Sequence, residues 1–211
     1  MVTKEQILLW LQAVAMMLEQ NKDYLTELDA AIGDADHGIN MNRGFQKVAS
    51  QLPSVADQDI GSILKSVSMT LISSVGGASG PLYGTMFLRM STAVAGKLEL
   101  SDEDLVAFFQ AMVDGVVQRG KANLGDKTML DALYPASDAF KQAIAKGSST
   151  QEALQQAVAA AEQGMKNTIP LVAKKGRASY LGDRSANHQD PGATSAYLIL
   201  KTLLETLSPE S

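Results

Sequence analysis

At 211 residues the chain has the length of one domain or two small ones, and it can bury a substantial core. Its formal net charge of −5 does not favour a nucleic-acid-binding surface, and the absence of cysteine excludes disulfides and thiolate metal sites. The sequence has neither a signal-peptide pattern nor an apolar run of membrane-spanning length, so we predict a cytoplasmic protein that does not enter a membrane.

Helical periodicity and capping signals predict the elements of the first half of the chain. A capping box of Thr3 and Gln6 opens the first helix, and Gly33 is placed to end it. Pro53 is expected to close the second helix, and Asp57 is expected to cap the third. The four predicted helices cover residues 4–33, 40–52, 59–74 and 81–96.

The second half of the chain gives four more helical patterns. Ser101 and Ser149 begin capping signals, and Asp190 followed by Pro191 is an N-cap with a proline in the first turn. Pro135 is expected to kink the sixth helix. These predicted helices cover residues 101–120, 127–147, 153–176 and 192–207.

The order of these elements predicts the fold class. No run alternates cleanly enough to predict a strand, and no linker or low-complexity tract divides the chain. Short connections favour antiparallel neighbours. We therefore predict an all-α fold, a single domain over residues 1–211 arranged as an antiparallel eight-helix up-down bundle or barrel.

An unusual concentration of acid follows the first predicted helix, in "LDAAIGDADHGINMNRG" at residues 28–44. Asp29, Asp34 and Asp36 would repel one another unless a positive charge lay among them. One interpretation is a solvated turn in which Asp36 caps the next helix. The other is a magnesium site, because Mg²⁺ prefers carboxylate oxygens. A calcium EF-hand is excluded, because Phe45 stands where a bidentate glutamate would be needed.

A glycine-rich stretch, "SSVGGASGPLYGT" at residues 73–85, precedes the fourth predicted helix. Gly76, Gly77 and Gly80 let the backbone approach a ligand closely, and helix N-termini attract anions. The stretch is therefore either a flexible helix–helix turn or a phosphate-binding loop.

A third stretch, "GKANLGDKT" at residues 120–128, is close to a P-loop but is not one. Asp126 is inserted before the lysine, and a helical pattern precedes the stretch where a P-loop requires a strand. We interpret it as a further nucleotide-facing helix start, with Thr128 and Met129 at its rim.

The most basic stretch is "AKKGRASYLGDRSANHQDPGATS" at residues 173–195, which contains Lys174, Lys175, Arg177 and Arg184. It is either a solvated loop or a functional one in which an arginine covers phosphate charge.

Together these motifs resemble the L-subunit family of bacterial dihydroxyacetone kinases, in order and at matching spacing over nearly the whole chain. The resemblance implies an eight-helix antiparallel barrel that binds ADP and two Mg²⁺ ions at one end. It also implies that ADP stays bound and is phosphorylated by a phosphohistidine on an M subunit. The ATP so formed would phosphorylate dihydroxyacetone held on a K subunit.

The resemblance also assigns site residues. It implies that Asp29, Asp34 and Asp36 are magnesium ligands and that Arg177 lies near the phosphates. We expect Arg177 to be catalytic, because an arginine in this basic loop would stabilise the transferred phosphoryl group. His37 is expected to contact phosphate without acid–base or covalent catalysis. The nucleotide contacts that it implies are His37, Gly38, Asn40, Ala78, Ser79, Gly120, Met129, Arg177, Asp190 and Gly192.

Two alternatives stay open. The chain could be the nucleotide domain of an ATP-dependent dihydroxyacetone kinase, in which it would follow a substrate domain; its start at Met1 favours the phosphotransferase-system arrangement. It could also be a nucleotide-dependent co-regulator that docks on a transcription factor. Whether the chain forms a homodimer is not visible in the sequence.

Overall fold

The computed structural model describes residues 1–208, and these residues are predominantly helical. The predicted all-α class is confirmed. Within the described range the α-helices are α1 Lys4–Gln20, α2 Lys22–Ile32, α3 His37–Val55, α4 Ile60–Ser74, α5 Ser79–Ala93, α6 Asp102–Gly120, α7 Leu130–Ala145, α8 Thr150–Asn167 and α9 Pro191–Leu207. A 3₁₀ segment spans Arg177–Ser185, and two short strands are β1 Val2–Thr3 and β2 Glu99–Leu100.

The first predicted helix is broken in two at Asn21, so α-helices in the described range number nine rather than eight. The backbone of Asn21 leaves the helical region at φ −101° and ψ 7°. Its backbone N–H donates to the carbonyl of Met17 at 3.0 Å, and its side-chain Nδ2 donates to the same carbonyl at 2.8 Å, so both bonds stabilise the last turn of α1. The short helix α2 can then change direction and approach α3 and α9.

Three predicted boundaries were also wrong. Helix α3 continues past Pro53 to Val55, and α4 is capped by Asp59 rather than Asp57, since Asp59 Oδ1 accepts from the backbone N–H of Ser62 at 3.1 Å. Helix α8 ends at Asn167 instead of near residue 176. Residues 168–190, here called the basic loop, therefore connect α8 to α9 and contain the 3₁₀ segment.

The prediction of no strand was wrong as well. β1 and β2 pair antiparallel, with Val2 opposite Leu100 and both side chains buried. These strands are only two residues long, too short to show an alternating pattern. Their pairing joins the start of α1 to the start of α6.

The helices surround one large hydrophobic core. Consecutive helices from α3 to α9 pack side by side, and α9 also packs against α1. Buried aromatic rings occupy the centre, where Trp10 contacts Phe87 and Phe108 while Phe109 stacks on Phe140. No helix in residues 1–208 is long and apolar enough to cross a membrane.

Candidate functional site

Four helices begin around one cavity of about 540 Å³. Its walls include the first residues of α3, α5 and α9, which are His37, Ser79 and Pro191, and Met129 immediately before α7. The first turn of a helix has free N–H groups and the positive end of the helix dipole. Four such ends lie at the wall of one cavity, where the helix dipoles favour an anion with several negative groups.

The three aspartates of the predicted metal site meet at the edge of this cavity. One carboxylate oxygen from each of Asp29, Asp34 and Asp36 lies within 4.8 Å of the others. Ala35, between the last two, has a left-handed φ of 61°, which is uncommon for a residue other than glycine. This turn brings the acidic cluster together at a cost in backbone strain, and its oxygen-only donor set fits a hard cation such as Mg²⁺.

Asp29 also caps the following helix. Its Oδ2 accepts hydrogen bonds from the backbone N–H groups of Asp36 at 2.8 Å and His37 at 3.0 Å. The interpretation in which the Asp36 side chain caps this helix was wrong, because that side chain makes no capping bond. Gly33 leaves room for Asp29, since a Cβ there would overlap Asp29 Oδ1. Asp29 is thus a buried carboxylate that accepts two backbone hydrogen bonds, rather than a solvated one.

Arg177 connects the basic loop to the acidic cluster. Its Nε lies 2.9 Å from Asp34 Oδ2, with the two side chains 65% and 35% exposed. Within residues 1–208 the ion-pair partner of Arg177 is therefore Asp34, and not Asp183 in its own loop. Arg119 and Lys175 also line the cavity, so it has an acidic edge and a basic edge.

His37 lies at the centre of a polar network that the sequence did not predict. Its Nδ1 is 3.0 Å from Ser79 Oγ and its Nε2 is 2.8 Å from Ser195 Oγ, which in turn is 2.7 Å from Tyr83 Oη. Burial lowers the pKa of His37, although Asp29 and Asp36 oppose that shift. Burial raises the pKa of Tyr83. Burial thus favours the neutral forms of His37 and Tyr83, and this network joins α3, α5 and α9.

Eight of the ten predicted nucleotide contacts line the cavity: His37, Ala78, Ser79, Gly120, Met129, Arg177, Asp190 and Gly192. Gly38 instead packs closely on α2, where a Cβ would overlap the carbonyl of Lys22. Asn40 is buried beside Gly76 and accepts from Arg43 Nη2 at 2.8 Å. Contact of Gly38 and Asn40 with a nucleotide stays a prediction.

Lys127 has a different role from that of a P-loop lysine. It follows the helix α6 rather than a strand, and its side chain is buried. Its Nζ donates to the carbonyls of Thr168 at 2.7 Å, Leu171 at 3.1 Å and His188. Desolvation lowers the pKa of Lys127, opposed by nearby Asp190 and Asp131. Lys127 thus holds both ends of the basic loop together.

Asp190 is the N-cap of α9 and a buried acid in the cavity wall. Its Oδ2 accepts from the backbone N–H of Ala193 at 2.7 Å. Burial raises the pKa of Asp190 to about 7 even though that bond and the charge of Lys127 lower it. Burial therefore favours the protonated form of Asp190 much more than for an exposed aspartate.

The rest of the cavity wall is apolar. It includes side chains from the start of α5, the end of α6 and the loop after α6, namely Pro81, Leu82, Val116 and Ala122. A cavity with apolar walls beside converging helix N-termini and a carboxylate cluster has the chemistry to hold a planar base, a phosphate chain and a metal ion together.

Known proteins that resemble this chain include nucleotide-binding kinase subunits, which fits a site for a base, phosphates and a metal ion. The DAK2 domain family matches residues 31–205. The chain is 49% identical over 202 residues to the Escherichia coli PEP-dependent dihydroxyacetone kinase, ADP-binding subunit DhaL, covering 96% of each chain. It is 39% identical over 208 residues to the Lactococcus lactis PTS-dependent subunit of that name, covering 99% of this chain and 100% of the relative.

More distant relatives contain the same region within longer chains. The mouse triokinase/FMN cyclase is 32% identical over 212 residues, which are 99% of this chain and 36% of that protein. The crystal structure of the dihydroxyacetone kinase from C. freundii in complex with AMP-PNP and Mg²⁺ superposes with a TM-score of 0.68 at 26% identity, covering 94% of this chain and 33% of that one. The chain therefore belongs to the DAK2 family, in the group of ADP-binding dihydroxyacetone kinase subunits.

Proposed function

We propose that the chain is the ADP-binding subunit of a phosphoenolpyruvate-dependent dihydroxyacetone kinase of the phosphotransferase system. A tightly held ADP with two Mg²⁺ ions would accept a phosphoryl group from a phosphohistidine on an M subunit and pass it to dihydroxyacetone on a K subunit. The alignments support this role, because this chain and the E. coli and L. lactis subunits match over nearly their full lengths.

The observation that carries the proposal is the convergence of four helix N-termini and three carboxylates on one cavity. The helix ends would stabilise phosphate groups, and Asp29, Asp34 and Asp36 would hold the metal ions. When bound, Mg²⁺ would neutralise phosphate charge and orient the phosphate chain. Neither the carboxylates nor the helix ends alone would suit both a cation and a nucleotide.

The protein's own contribution to transfer is positioning and charge. Ala78 and Ser79, at the start of α5, line the cavity where they would contact the phosphates, and Arg177 lies at the cavity wall, where it would approach the outermost one. Phosphoryl transfer needs little covalent chemistry from the protein. His37 fits a positioning role rather than a covalent one, because both of its ring nitrogens already have hydroxyl partners.

Other aspects of the role remain proposals. We infer a cytoplasmic location and one nucleotide-binding domain over residues 1–211, of which the structure describes 1–208. An ATP-dependent kinase domain is less well supported, because the relatives that contain this region within a longer chain are the less similar ones. A homodimer and a transcription-factor partner stay predictions.

Reconstitution tests the proposed function. The purified chain with ATP and dihydroxyacetone should form no dihydroxyacetone phosphate. Addition of K and M subunits, the general phosphotransfer proteins and phosphoenolpyruvate should start the reaction. Product formed by this chain alone, or full turnover of the mixture when this chain is omitted, would contradict the proposal.

A further inference from the structure

Ser79 is the one member of the His37 network that is only half-buried at the cavity wall; His37 and Tyr83 also line the cavity but are buried, as is Ser195. The hydroxyl oxygen of Ser79 is 3.0 Å from His37 Nδ1, at the first turn of α5. A serine hydroxyl has a single proton, so Ser79 can donate it either to His37 or to a ligand in the cavity. The protonation of His37 Nδ1 decides which of these happens.

Tyr83 and Ser195, at the end of the network away from Ser79, limit where the protons of His37 can lie. Tyr83 is buried, and in the described residues its hydroxyl is hydrogen-bonded to Ser195 Oγ at 2.7 Å. A buried hydroxyl whose proton has no acceptor is costly, so Tyr83 donates to Ser195. Ser195 then has one proton of its own and two acceptors, His37 Nε2 at 2.8 Å and the carbonyl of Gly192 at 3.1 Å.

These acceptors allow two hydrogen-bond orders, that is, two arrangements of the protons in which every donor has an acceptor. If Ser195 donates to Gly192, His37 carries its proton on Nε2 and takes the Ser79 proton at Nδ1. If Ser195 donates to His37 Nε2, then Nδ1–H donates to Ser79, and the Ser79 proton is free for the cavity. The second order leaves no acceptor unsatisfied, because the Gly192 carbonyl in the first turn of α9 can accept a helical N–H bond without Ser195.

Resting on the proposed function, we propose that Tyr83 and Ser195 are positioning residues that hold His37 as its Nδ1–H tautomer, so that Ser79 donates a hydrogen bond to a nucleotide phosphate. A phosphate oxygen accepts hydrogen bonds and cannot donate when ionised, so it selects this order. Every bond in the chain Tyr83 to Ser195 to His37 to Ser79 then points toward the ligand, and such aligned bonds strengthen one another.

The tautomer can be observed directly. The sequence contains two histidines, so ¹⁵N-histidine NMR gives a simple spectrum, and His188→Gln assigns it. With Mg²⁺ and ADP bound to the wild-type chain, His37 Nδ1 should show a protonated nitrogen and Nε2 an acceptor. An Nε2–H tautomer in the ADP-bound chain would overturn this inference alone. A chain that holds no ADP would overturn both the inference and the proposed function.

A variant tests the direction of the network. Tyr83→Phe removes the first donor, which makes the Ser195 hydroxyl a weaker donor and a better acceptor toward His37 Nε2 and so favours the other tautomer. We expect more Nε2–H tautomer and about tenfold faster exchange of bound ADP with labelled ADP, as for loss of a hydrogen bond to a charged acceptor. Tyr134→Phe, at an exposed tyrosine, is the matched control. An unchanged tautomer, or equal exchange rates in the two variants, would overturn the proposal.

Discussion

Arg177 Nε lies 2.9 Å from Asp34 Oδ2, so the basic loop is joined to the acidic cluster. Both side chains are substantially exposed, and ion pairs of this kind contribute little to stability, about 0–1 kcal/mol. A Mg²⁺ ion at Asp34 can therefore replace the guanidinium group. Arg177 would then be free to approach the outer phosphate.

For this reason Arg177→Ala should slow phosphoryl transfer far more than it reduces ADP retention. During transfer, charge spreads over the moving phosphoryl group, and arginines in that position accelerate transfer by about 10³ or more in other enzymes. Retained ADP and turnover in the three-subunit assay are the measurements. Arg184→Ala, in the same loop but outside the cavity wall, is the control. Normal turnover with full ADP occupancy would show that Arg177 is structural.

Asp34→Ala and Asp36→Ala should each release magnesium and ADP while the helical fold is kept. Neither side chain caps a helix, and neither belongs to the core, so the loss should be confined to charge in the site. Circular dichroism and ADP content after gel filtration check this. The control is Asp23→Ala, because the Asp23 side chain is 96% exposed. Stoichiometric ADP in either site variant would refute the metal assignment.

Gly33→Ala should weaken both folding and metal binding. A methyl group there would overlap Asp29 Oδ1 and push away the carboxylate that caps α3. Loss of such a cap costs about 0.5–2 kcal/mol of unfolding free energy. Urea denaturation of the metal-free chain measures the first effect, and Mg²⁺ titration measures the second. Gly77→Ala is a comparison in which an added Cβ meets no neighbour, although its φ of +62° adds strain. Wild-type stability and Mg²⁺ affinity in Gly33→Ala would contradict the role of Asp29.

Asp190→Asn should make the metal-free and nucleotide-free chain more stable at high pH. Burial raises the pKa of Asp190 from 3.8 to about 7, so between these values the folded chain holds a proton that the unfolded chain has lost. The contribution of Asp190 to the free energy of unfolding therefore falls as the pH rises from about 4 to 7. Above pH 7 the buried carboxylate is ionised, and this loss of stability is complete. Asparagine keeps a capping oxygen and has no such penalty.

The measurement is the melting temperature against pH. The variant should melt at least about 3 °C above the wild type at pH 8, where 1 kcal/mol corresponds to about 2–4 °C in a chain of this size. The two should agree below pH 4. Asp183→Asn, at an exposed aspartate, should show no such crossover. A constant difference at every pH would mean that Asp190 does not titrate in this range.

Most of the fold could be predicted because its signals are local. The capping boxes at Thr3, Ser101 and Ser149 and the cap at Asp190 are confirmed. The break at Asn21 was missed because no glycine or proline marks it; it results from the packing of α2 against α3 and α9. Such tertiary packing routinely overrides local propensity.

The candidate site was predictable only in part, for a similar reason. Clustered aspartates and glycines are visible as sequence neighbours. Tyr83 and Ser195 are 112 residues apart, and His37 and Ser195 are 158 apart, so their network depends on the completed helix arrangement. Lys127 was considered only as part of a false P-loop, and its carbonyl partners are 41 to 61 residues away.

The central claim is that this cavity holds ADP with magnesium as a resident group. The most direct test is to purify the chain without added nucleotide, denature it, and quantify the released nucleotide and magnesium by chromatography and elemental analysis. We expect close to one ADP per chain, accompanied by magnesium, and nearly none from Asp34→Ala. Wild-type protein that releases no nucleotide, and that binds none when Mg²⁺ and ADP are supplied, would contradict the account.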